Sequence, residues 1–418
     1  MNPHLFEVPR SKSESHRALS LLYLANLPLE TLVNPSESRD TRIFIENLSS
    51  DSSELDFLDA GTPARMALAL LAFNGKKVTL TGNKSLQNRP IKGLVDTLNT
   101  LGAKIQYLDR PGYFPCKIEG KIDSSLIPLD STLYIDRTES SQFVSALMLI
   151  ASQFNEHPII HIALKGTSHS ESYIQLTQIF LGKFQIHCNY FQLENRIEIF
   201  PKFPSIPNNI RIESDWSSAL YGIQHLLAKE TLEIGHLELF IRDLKYSSAQ
   251  GDSQTLSIFK QLGLNLQSTD DGITFSAEPL LLPDCEFKID CRNFPDAVPS
   301  LVSTFAMAWW FKKNHFFSLI FEGIGNLKSK ESNRIEALQI NLNKLGFEFI
   351  ELNDENFQLQ KIANFQIATS ENIGIKTFHD HRIAMCFSPW KRLYPNLEFD
   401  DYACVEKSFP DFWNQINF

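Results

Sequence analysis

The chain has 418 residues, a formal net charge of −10, 43% apolar residues and 21% charged residues. This composition is typical of a folded globular protein and argues against a disordered chain. The acidic balance argues against a general nucleic-acid binder, whose domains are usually basic. The length exceeds that of one ordinary hydrophobic core, so we expect two domains.

Targeting and metal-binding signals are weak throughout the chain. The N-terminus MNPHLFEVPRSKSE lacks the apolar core of a signal peptide, and the run LVSTFAMAWWF from Leu301 is too short to span a bilayer. The six Cys residues form no C-x-x-C pair and, taken with the His residues, show no zinc spacing. We therefore expect a cytoplasmic protein with reduced thiols, no membrane contact and no bound metal.

The first predicted helix begins in PRSKSESHRALSLLYLA from Pro9, where basic and hydroxyl side chains precede an apolar run. Its simplest interpretation is a solvated helix start with Ser13 or Ser15 as the N-cap. Lys12, Ser13 and Arg17 nevertheless place two cations and a hydroxyl close together. In an acidic chain, such a local concentration at a helix start indicates an anion site.

A unit of predicted helix, glycine and alternating strand occurs four times along the chain. Its helices are expected to end at Gly102, Gly182, Gly263 and Gly346, which follow one another at nearly equal intervals. Glycine at these positions suits the left-handed C-terminal cap of a helix. The apolar face of the last helix consists of Ile335, Leu338, Leu342 and Leu345.

A second type of helix alternates with the first and opens with small or polar residues. Its six predicted starts lie near Ser13, Thr62, Ser141, Ser217, Asp296 and Asp380. They indicate six units of about 70 residues, which cannot bury their sheets alone and must share cores. Three units per domain is the natural division. Backbone N–H groups of the helix starts would then meet at common edges, where anions bind.

Polar motifs cluster at or near these helix starts. They are DAGTPAR from Asp59, TGNKSLQNRPI from Thr81, RTESSQF from Arg137, NFPDAV from Asn293, NLKSKESNR from Asn326, HDHR from His379 and CVEKSFPD from Cys404. Competing motifs fail: GNKS lacks the spacing of a phosphate loop, and GIGNLK is not G-x-G-x-x-G. Neighbouring side chains of HDH point apart, so we do not expect a metal there. No serine or cysteine nucleophile motif is present.

Taken in order, these motifs resemble the 5-enolpyruvylshikimate-3-phosphate synthase (3-phosphoshikimate 1-carboxyvinyltransferase) family from Pro9 to Asp411. The resemblance rests on SKSESHRA, DAGTPAR, TGNKSLQNRPI, SSQF, PDA, KSKESNR, DHRIAM and KSFPD. It implies an α/β enolpyruvyl transferase fold of two domains, each an inside-out α/β barrel of three βαβαββ units. Residues 1–11 and 213–418 would form one domain and residues 12–212 the other, with the active site in the cleft between them.

The resemblance also implies the substrates and their binding residues. Phosphoenolpyruvate and shikimate 3-phosphate would bind without metal or other cofactor, and we expect a monomer. The shikimate 3-phosphate set would be Lys12, Ser13, Arg17, Ser140, Ser141, Gln142, Ser170, Tyr173, Asp296, Asn326 and Lys330. The phosphoenolpyruvate set would be Lys12, Gly61, Arg89, Gln142, Arg334, Arg382 and Lys407.

The chemistry of the transfer fits these residue types. Both substrates are phosphorylated carboxylates, so fixed cations must offset their mutual repulsion, and Arg suits planar carboxylate and phosphate groups. By the resemblance, Asp296 would accept the proton of the attacking 5-hydroxyl, a task that suits a positioned carboxylate. Either Glu331 or Lys12 would deliver the proton to the enolpyruvyl methylene. The cations would then stabilise the departing phosphate.

Two positions depart from the family pattern. Arg10 stands where the family usually has Gly before S-K-S, and Asp59 stands where Asn commonly precedes A-G-T. We expect these two changes to affect substrate affinity and inhibitor sensitivity more than the type of reaction. Two alternatives stay open: a UDP-N-acetylglucosamine enolpyruvyl transferase and a non-catalytic phosphate-binding relative. The first lacks the complete motif set and needs a loop Cys for which this chain has no candidate, and the intact Asp296, Glu331 and Lys407 argue against the second.

Overall fold

The computed structural model describes residues 3–166, 170–205, 210–233, 236–280, 287–311, 318–368 and 370–417. The chain forms two compact units. Met1–Pro9 and Glu213–Phe418 form one, termed here the terminal unit. Arg10–Ile212 forms the other, termed the inserted unit.

Both units contain helices and strands. The helices are α1 (Lys12–Leu24), α2 (Arg39–Ser49), α3 (Gly61–Asn74), α4 (Lys84–Gln87), α5 (Lys92–Thr100), α6 (Ser141–Ala151), α7 (Glu171–Lys183), α8 (Trp216–Leu232), α9 (Leu256–Gln261), α10 (Val298–Phe311), α11 (Arg334–Lys344), α12 (His381–Phe387) and α13 (Phe412–Gln415). The strands are β1 (His4–Leu5), β2 (Glu54–Asp56), β3 (Val78–Thr81), β4 (Ile105–Tyr107), β5 (Cys116–Ile118), β6 (Thr132–Asp136), β7 (Ile160–Lys165), β8 (His187–Phe191), β9 (Arg196–Phe200), β10 (Glu238–Arg242), β11 (Leu264–Thr269), β12 (Gly272–Ala277), β13 (Phe287–Asp290), β14 (Leu319–Glu322), β15 (Phe347–Glu351), β16 (Phe357–Lys361), β17 (Ile373–Ile375) and β18 (Leu397–Phe399).

One strand pattern occurs in four sheets. The spatial orders are β2-β3-β5-β4 and β6-β7-β9-β8 in the inserted unit, and β1-β10-β12-β11 and β13-β14-β16-β15 in the terminal unit. In each sheet the first two strands pair in parallel and the remaining pairs are antiparallel. Parallel neighbours need a long connection. Helix α3, α6 or α10 supplies it in three of the sheets, whereas the whole inserted unit lies between β1 and β10.

The predicted α/β class is confirmed, and the six predicted units differ in completeness. Four of them contain the four-stranded sheets, and a fifth is reduced to the parallel pair of β17 and β18 around α12. The remaining segment contributes α1 and α2, and its fully described residues 12–49 include no strand. The helix starts of the second type are therefore present in all six units even where the sheet is not.

The glycines predicted to end helices behave as expected at three of four positions. Gly102, Gly263 and Gly346 follow α5, α9 and α11 with φ of 89°, 106° and 87°. The prediction for Gly182 is wrong, because this residue lies inside α7. The buried Phe184 caps that helix by donating its backbone N–H to Phe180 and Leu181, so the left-handed turn falls at Gln185, with φ of 62°.

The cores follow the apolar patterns of the sequence. All four residues of the predicted apolar face of α11 are buried. The terminal unit packs its helices around large side chains such as Trp216, Tyr221 and Trp390. Four of the five described cysteines are buried, and burial raises their pKa values, that of Cys116 to about 12. Cys285 lies outside the described residues. Among the described residues, no helix combines the length and apolarity needed to cross a membrane.

Candidate active site

Helix α1 of the inserted unit begins earlier in its motif than the predicted caps suggested. The N-cap is Ser11, whose hydroxyl accepts from the backbone N–H of Glu14 at 3.4 Å. The prediction of Ser13 or Ser15 as cap is therefore wrong: both lie within the helix, and Ser15 donates to the Ser11 carbonyl at 2.8 Å. As a result Lys12 is the first residue of the helix.

Lys12 is anchored by an acidic residue of α2. Its Nζ donates to Oδ2 of Asp40 at 2.9 Å, and the Asp40 side chain is buried while that of Lys12 is 21% exposed. Next to this pair, Nε2 of His16 lies 3.1 Å from the hydroxyl of Thr41. Asp40 was not predicted from the sequence, since it belongs to a different helix and to no motif. The Lys12 ammonium is fixed but still accessible.

Arg17 is a buried cation held by neutral groups. Its Nε donates to Thr177 Oγ1 at 2.8 Å, Nη1 to the Ser13 carbonyl at 2.8 Å, and Nη2 to the Tyr173 carbonyl at 2.8 Å and to Ser145 Oγ at 3.1 Å. No carboxylate pairs with it among the described residues, and burial lowers its pKa to about 10. The structure thus brings together Arg17, Ser13 and Tyr173 from the predicted set.

The start of α6 is fixed against the start of α3. Ser140 is the N-cap and accepts from the backbone N–H of Gln142 at 3.2 Å. Gln142 Nε2 donates to Thr62 Oγ1 at 2.7 Å, and its Oε1 accepts from Arg65 Nη1 at 2.8 Å. Thr62 and Arg65 belong to the DAGTPAR motif, but no local pattern paired them with Gln142. Ser141, the first residue of α6, is buried beside them.

Gly61 and Arg89 meet at the start of α3. A Cβ at Gly61 would lie 3.1 Å from Cδ and 3.3 Å from Cζ of Arg89, and closer still to Nη1. Nε and Nη2 of Arg89 are buried, with no hydrogen-bond partner in the described part of the chain. Burial and the neighbouring charge of Arg89 lower the pKa of Arg65 to about 9. Two guanidinium groups thus lie close together without a carboxylate bonded to either in the described residues.

Ser170 precedes α7 in an uncommon backbone conformation. Its φ of 67° and ψ of 45° are left-handed, and its side chain makes no capping hydrogen bond. Such a conformation is infrequent for a residue with a Cβ and points to local constraint. The side chain is buried, three residues before Tyr173.

Both departures from the family pattern have partners within the inserted unit. Asp59 Oδ1 accepts from Nη2 of Arg39 at 2.6 Å, so its extra negative charge is balanced locally. Arg10 Nη1 donates to the carbonyl of Ile212 at 3.4 Å, which joins the first and last residues of the unit.

In the terminal unit, Asp296 is bound by two arginines of the predicted set. Arg334 Nη1 donates to Oδ1 of Asp296 at 2.9 Å, and Arg382 Nη2 lies 3.1 Å from Oδ2. Arg382 Nη1 also donates to the Asp296 backbone carbonyl at 3.3 Å. The Asp296 side chain is 18% exposed, while that of Arg334 is only 2% exposed. These three predicted residues form one ion-pair cluster.

Asp380 orients the arginines, although the sequence predicted it only as a helix start and not as a site residue. It is fully buried, accepts from Arg334 Nε at 2.8 Å, and caps α12 by accepting from the backbone N–H of Arg382 at 3.0 Å. Although burial favours protonation, Arg334 holds the pKa of Asp380 below its ordinary value. The DHR motif contained this residue, but only folding brings it to Arg334, which stands in a different motif.

Glu331 lies between His381 and Lys407. Its Oε2 is 3.0 Å from His381 Nδ1, and its Oε1 is 3.3 Å from Lys407 Nζ. Burial favours the protonated carboxyl group, but Lys407 and His381 together hold the pKa of Glu331 well below its ordinary value. Burial lowers the pKa of His381, and Glu331 partly opposes this. His381 is a second residue that sequence reasoning missed.

Glu331, Asp380 and His381 also offer oxygen and nitrogen atoms within 4.8 Å of one another, a spacing that could suit a metal ion. However, Lys407 already pairs with Glu331, and Arg334 pairs with Asp380. These carboxylates therefore have cationic partners of their own. The expectation that no metal is needed stays a prediction.

Three further polar or charged residues of the terminal unit, Asn326, Lys330 and Asp252, lie near the residues described above. Asn326 lies in the 3-10 turn Gly325–Ser329, and its Oδ1 is buried without a hydrogen-bond partner in the described residues. Lys330 follows that turn, half-buried. Asp252, which the sequence analysis did not predict, accepts from Ser217 Oγ, and burial followed by the charge of Asp296 raises its pKa to about 7.

Comparison with known proteins identifies the family. The family model of EPSP synthase (3-phosphoshikimate 1-carboxyvinyltransferase) matches residues 44–416. A 3-phosphoshikimate 1-carboxyvinyltransferase of Bacteroides fragilis (strain YCH46) is 31% identical over 411 residues, covering 98% of this chain and 93% of the relative. The enzyme of the same name from Shewanella loihica is also 31% identical, covering 98% and 95% of the two chains.

Solved structures give the same fold. An EPSP synthase structure from Acinetobacter baumannii superposes with a TM-score of 0.69 at 17% identity, covering 99% of this chain and 95% of that one. The enolpyruvyl transferase NikO from Streptomyces tendae superposes with a TM-score of 0.66 at 13% identity. The predicted enolpyruvyl transferase fold is confirmed. With the family model and near-full-length relatives in agreement, this chain belongs to the EPSP synthase family.

Proposed function

We propose that this protein transfers the enolpyruvyl group of phosphoenolpyruvate to the 5-hydroxyl of shikimate 3-phosphate and releases phosphate. The observation that supports this most is a group of three arginines in the inserted unit, of which Arg17 and Arg65 are buried and Arg89 is half-buried. None of Arg17, Arg65 and Arg89 forms an ion pair with a carboxylate among the described residues, although Glu14 and Glu139 act on the first two from a longer distance. Burying a cation that has no ion-pair partner costs several kcal/mol, so an anionic ligand is the natural partner. Two phosphorylated carboxylates supply the required charge.

The acceptor would bind mainly to the helix starts of the inserted unit. Ser13 and Arg17 of α1 and Tyr173 of α7 are already joined by hydrogen bonds, while Ser140, Ser141 and Gln142 open α6. Hydroxyl groups and backbone N–H groups at helix N-termini are suited to bind phosphate. Lys12 and Ser170 would complete this part of the acceptor set. The terminal unit would add Asp296, Asn326 and Lys330.

The donor would use guanidinium groups from both units. In the inserted unit, Arg89 offers buried N–H groups at Nε and Nη2, next to the close backbone approach allowed by Gly61. Arg334, Arg382 and Lys407 would supply the cations of the terminal unit, and Lys12 and Gln142 would contact both substrates. Paired N–H groups of Arg match the geometry of carboxylate and phosphate oxygens.

Proton transfer to Asp296 would depend on donor binding. In the structure both oxygens of Asp296 are bound by Arg334 and Arg382. A carboxylate held by two cations is a weak base. A donor carboxylate that binds the same arginines would weaken these ion pairs and leave Asp296 available to the 5-hydroxyl. The base would therefore become active only when the donor is present.

Addition requires a proton at the methylene carbon of the donor. As the C=C bond takes up this proton, the neighbouring carbon accepts the 5-oxygen and Asp296 receives the hydroxyl proton, giving a tetrahedral intermediate. Loss of phosphate and of a methyl proton then restores the enol ether. Because Lys407 and His381 hold Glu331 ionised, we assign the first proton to Lys12, and Glu331 is suited to take one back.

An assay of phosphate release from phosphoenolpyruvate tests the proposal. Release should require shikimate 3-phosphate and should not occur with UDP-N-acetylglucosamine, an alternative that the named relatives do not favour. Release with the nucleotide sugar alone would overturn the proposed acceptor. No release with either acceptor, together with binding of both ligands, would indicate a non-catalytic relative. We further propose that the enzyme acts as a monomer in the cytoplasm.

A further inference from the structure

The inserted unit contains a buried ion pair between two residues that are not assigned to either substrate. Arg137 Nη1 donates to Oε1 of Glu171 at 2.9 Å, and the two side chains are only 4% and 8% exposed. Arg137 directly follows β6, and Glu171 is the first residue of α7. The pair therefore connects two segments that are distant in the sequence.

The Arg137 guanidinium also reaches a third segment. Its Nη2 donates to Oδ1 of Asn195 at 2.6 Å, and Nη1 lies 3.3 Å from the hydroxyl of Tyr190. Tyr190 is on β8, and Asn195 occupies the left-handed turn that leads to β9. One side chain thus fixes the start of α7 against a two-stranded antiparallel hairpin.

Both ends of the ion pair adjoin residues of the proposed acceptor set. Arg137 lies three positions before Ser140, the N-cap of α6, and Glu171 directly follows Ser170. Ser170 is left-handed and its side chain does not cap the helix, so its position depends on its neighbours. A left-handed residue with a Cβ is strained and persists only where its surroundings fix it. The ion pair of Glu171 with Arg137 fixes the residue next to Ser170 and so helps to hold Ser170 in this conformation.

Stability alone does not account for the pair. Nε of Arg137 and Oε2 of Glu171 are buried without hydrogen-bond partners in the described residues. Replacing an incompletely satisfied buried pair by neutral side chains is often neutral or stabilising, whereas removing one partner leaves a buried charge and is destabilising. A role in positioning is a better reason for its presence.

We propose that Arg137 and Glu171 are positioning residues that join the Ser140 and Ser170 segments, so that both meet shikimate 3-phosphate in the correct arrangement. This inference rests on the proposed function. Because the pair is neutral overall, it does not attract the acceptor itself. Its effect is therefore expected on acceptor affinity, with little effect on the donor or on the chemical step.

The test uses Arg137→Met, Glu171→Gln and the double variant. Each single variant should lose stability, since one buried charge remains, and should raise the KM for shikimate 3-phosphate about tenfold. The KM for phosphoenolpyruvate and kcat should stay within about twofold. In the double variant the urea midpoint should return toward that of the unmodified protein while the KM for shikimate 3-phosphate stays high. Arg196→Met is a matched control, because Arg196 starts β9 of the same hairpin but forms its ion pairs with Glu194 and Glu198.

Two outcomes would overturn the inference. The first is that the double variant recovers both its stability and its KM for shikimate 3-phosphate. The second is that the variants change kcat and the KM values for both substrates to a similar extent. If the single variants do not fold, the kinetics of the double variant decide the question. Calorimetry of Ser170→Ala separates this inference from the proposed function. Unchanged binding of shikimate 3-phosphate to that variant would contradict the acceptor site itself, whatever the ion pair does.

Discussion

The Arg334 guanidinium donates to Asp296 at 2.9 Å while it also binds the fully buried Asp380 at 2.8 Å. Although burial disfavours the cation, Asp380 and Asp296 raise the pKa of Arg334 above its ordinary value. Asp380 is the inaccessible partner of this arginine and Asp296 the accessible one. An incoming anion can therefore compete with Asp296 but not with Asp380.

Asp296→Asn should separate donor binding from catalysis. Turnover should fall by about 10²-fold or more, since a positioned base is lost. Binding of phosphoenolpyruvate without acceptor should become several-fold tighter, because a carboxylate no longer competes for Arg334 and Arg382. Steady-state kinetics and calorimetry measure the two effects. Asp290→Asn, which alters an exposed partner of Arg292, serves as the control. Near-normal turnover, or weaker donor binding, would contradict this account of Asp296.

Lys12→Met should weaken binding of both substrates and lower kcat. The substitution removes the ammonium at the first position of α1 and leaves the buried Asp40 without its 2.9 Å partner. To distinguish these effects, Lys12→Met/Asp40→Asn removes both charges. If Lys12 contacts the substrates, the double variant should still bind both substrates weakly and should still have a low kcat. Recovery in the double variant would mean that the single variant failed only because the buried Asp40 charge had lost its ion pair with Lys12.

Gly61→Ala should raise the KM for phosphoenolpyruvate several-fold and leave that for shikimate 3-phosphate within about twofold. The added methyl group would overlap the Arg89 guanidinium, which must then move. Gly182→Ala is the matched control, since its new Cβ would meet nothing within 4 Å beyond the local helix backbone of α7. That variant should keep normal kinetics and gain about 0.5–1 kcal/mol of stability from helix propensity. Equal donor KM values in the two variants would argue against Arg89 as a donor contact.

His16 should make the protein sensitive to mild acid. Burial, followed by the charge of Lys12, lowers its pKa from 6.5 to about 3, so the folded state keeps it neutral while the unfolded state protonates it below pH 6.5. Its contribution to stability is complete above pH 6.5 and is lost as the pH falls toward 3. Between pH 7.5 and 5.0 this one proton accounts for about 2 kcal/mol.

Urea unfolding at several pH values measures this effect. His16→Asn should be less stable near pH 7.5, where it loses buried packing, but its stability should fall less steeply with acid. His187→Asn, on the exposed end of β8, should keep the steeper dependence. Parallel pH profiles for His16→Asn and the unmodified chain would show that another group causes the acid sensitivity.

Local sequence patterns predicted local structure well and long-range contacts poorly. Gly102, Gly263 and Gly346 were assigned to helix ends correctly because a left-handed cap is a local requirement that glycine meets. Gly182 was misassigned because the buried Phe184 prolongs α7, and burial depends on the tertiary structure. The cap of α1 was placed too late since three serines in the motif satisfy the same local preference.

The site was predicted through motifs, and its supporting residues were not. Asp380 and His381 stand in the same motif as Arg382, yet their partners Arg334 and Glu331 belong to another motif far away in the sequence. Arg65 likewise binds Gln142, which opens a different helix. A motif indicates which residue types are needed, whereas the partners that orient them are determined by which helix starts the fold brings together.

The proximity of Arg65 and Arg89 has a consequence for how long the protein survives proteolysis in the cell. Like charges near one another raise the free energy of the folded state, and a bound phosphate or carboxylate would offset that repulsion. Stability would then follow ligand supply, with a gain of about 2.7 kcal/mol at a ligand concentration one hundred times Kd. Protein molecules without bound substrate would unfold more often and would be cleaved by proteases more often. The abundance of the enzyme would thus follow the supply of its own substrates, without any change in its synthesis.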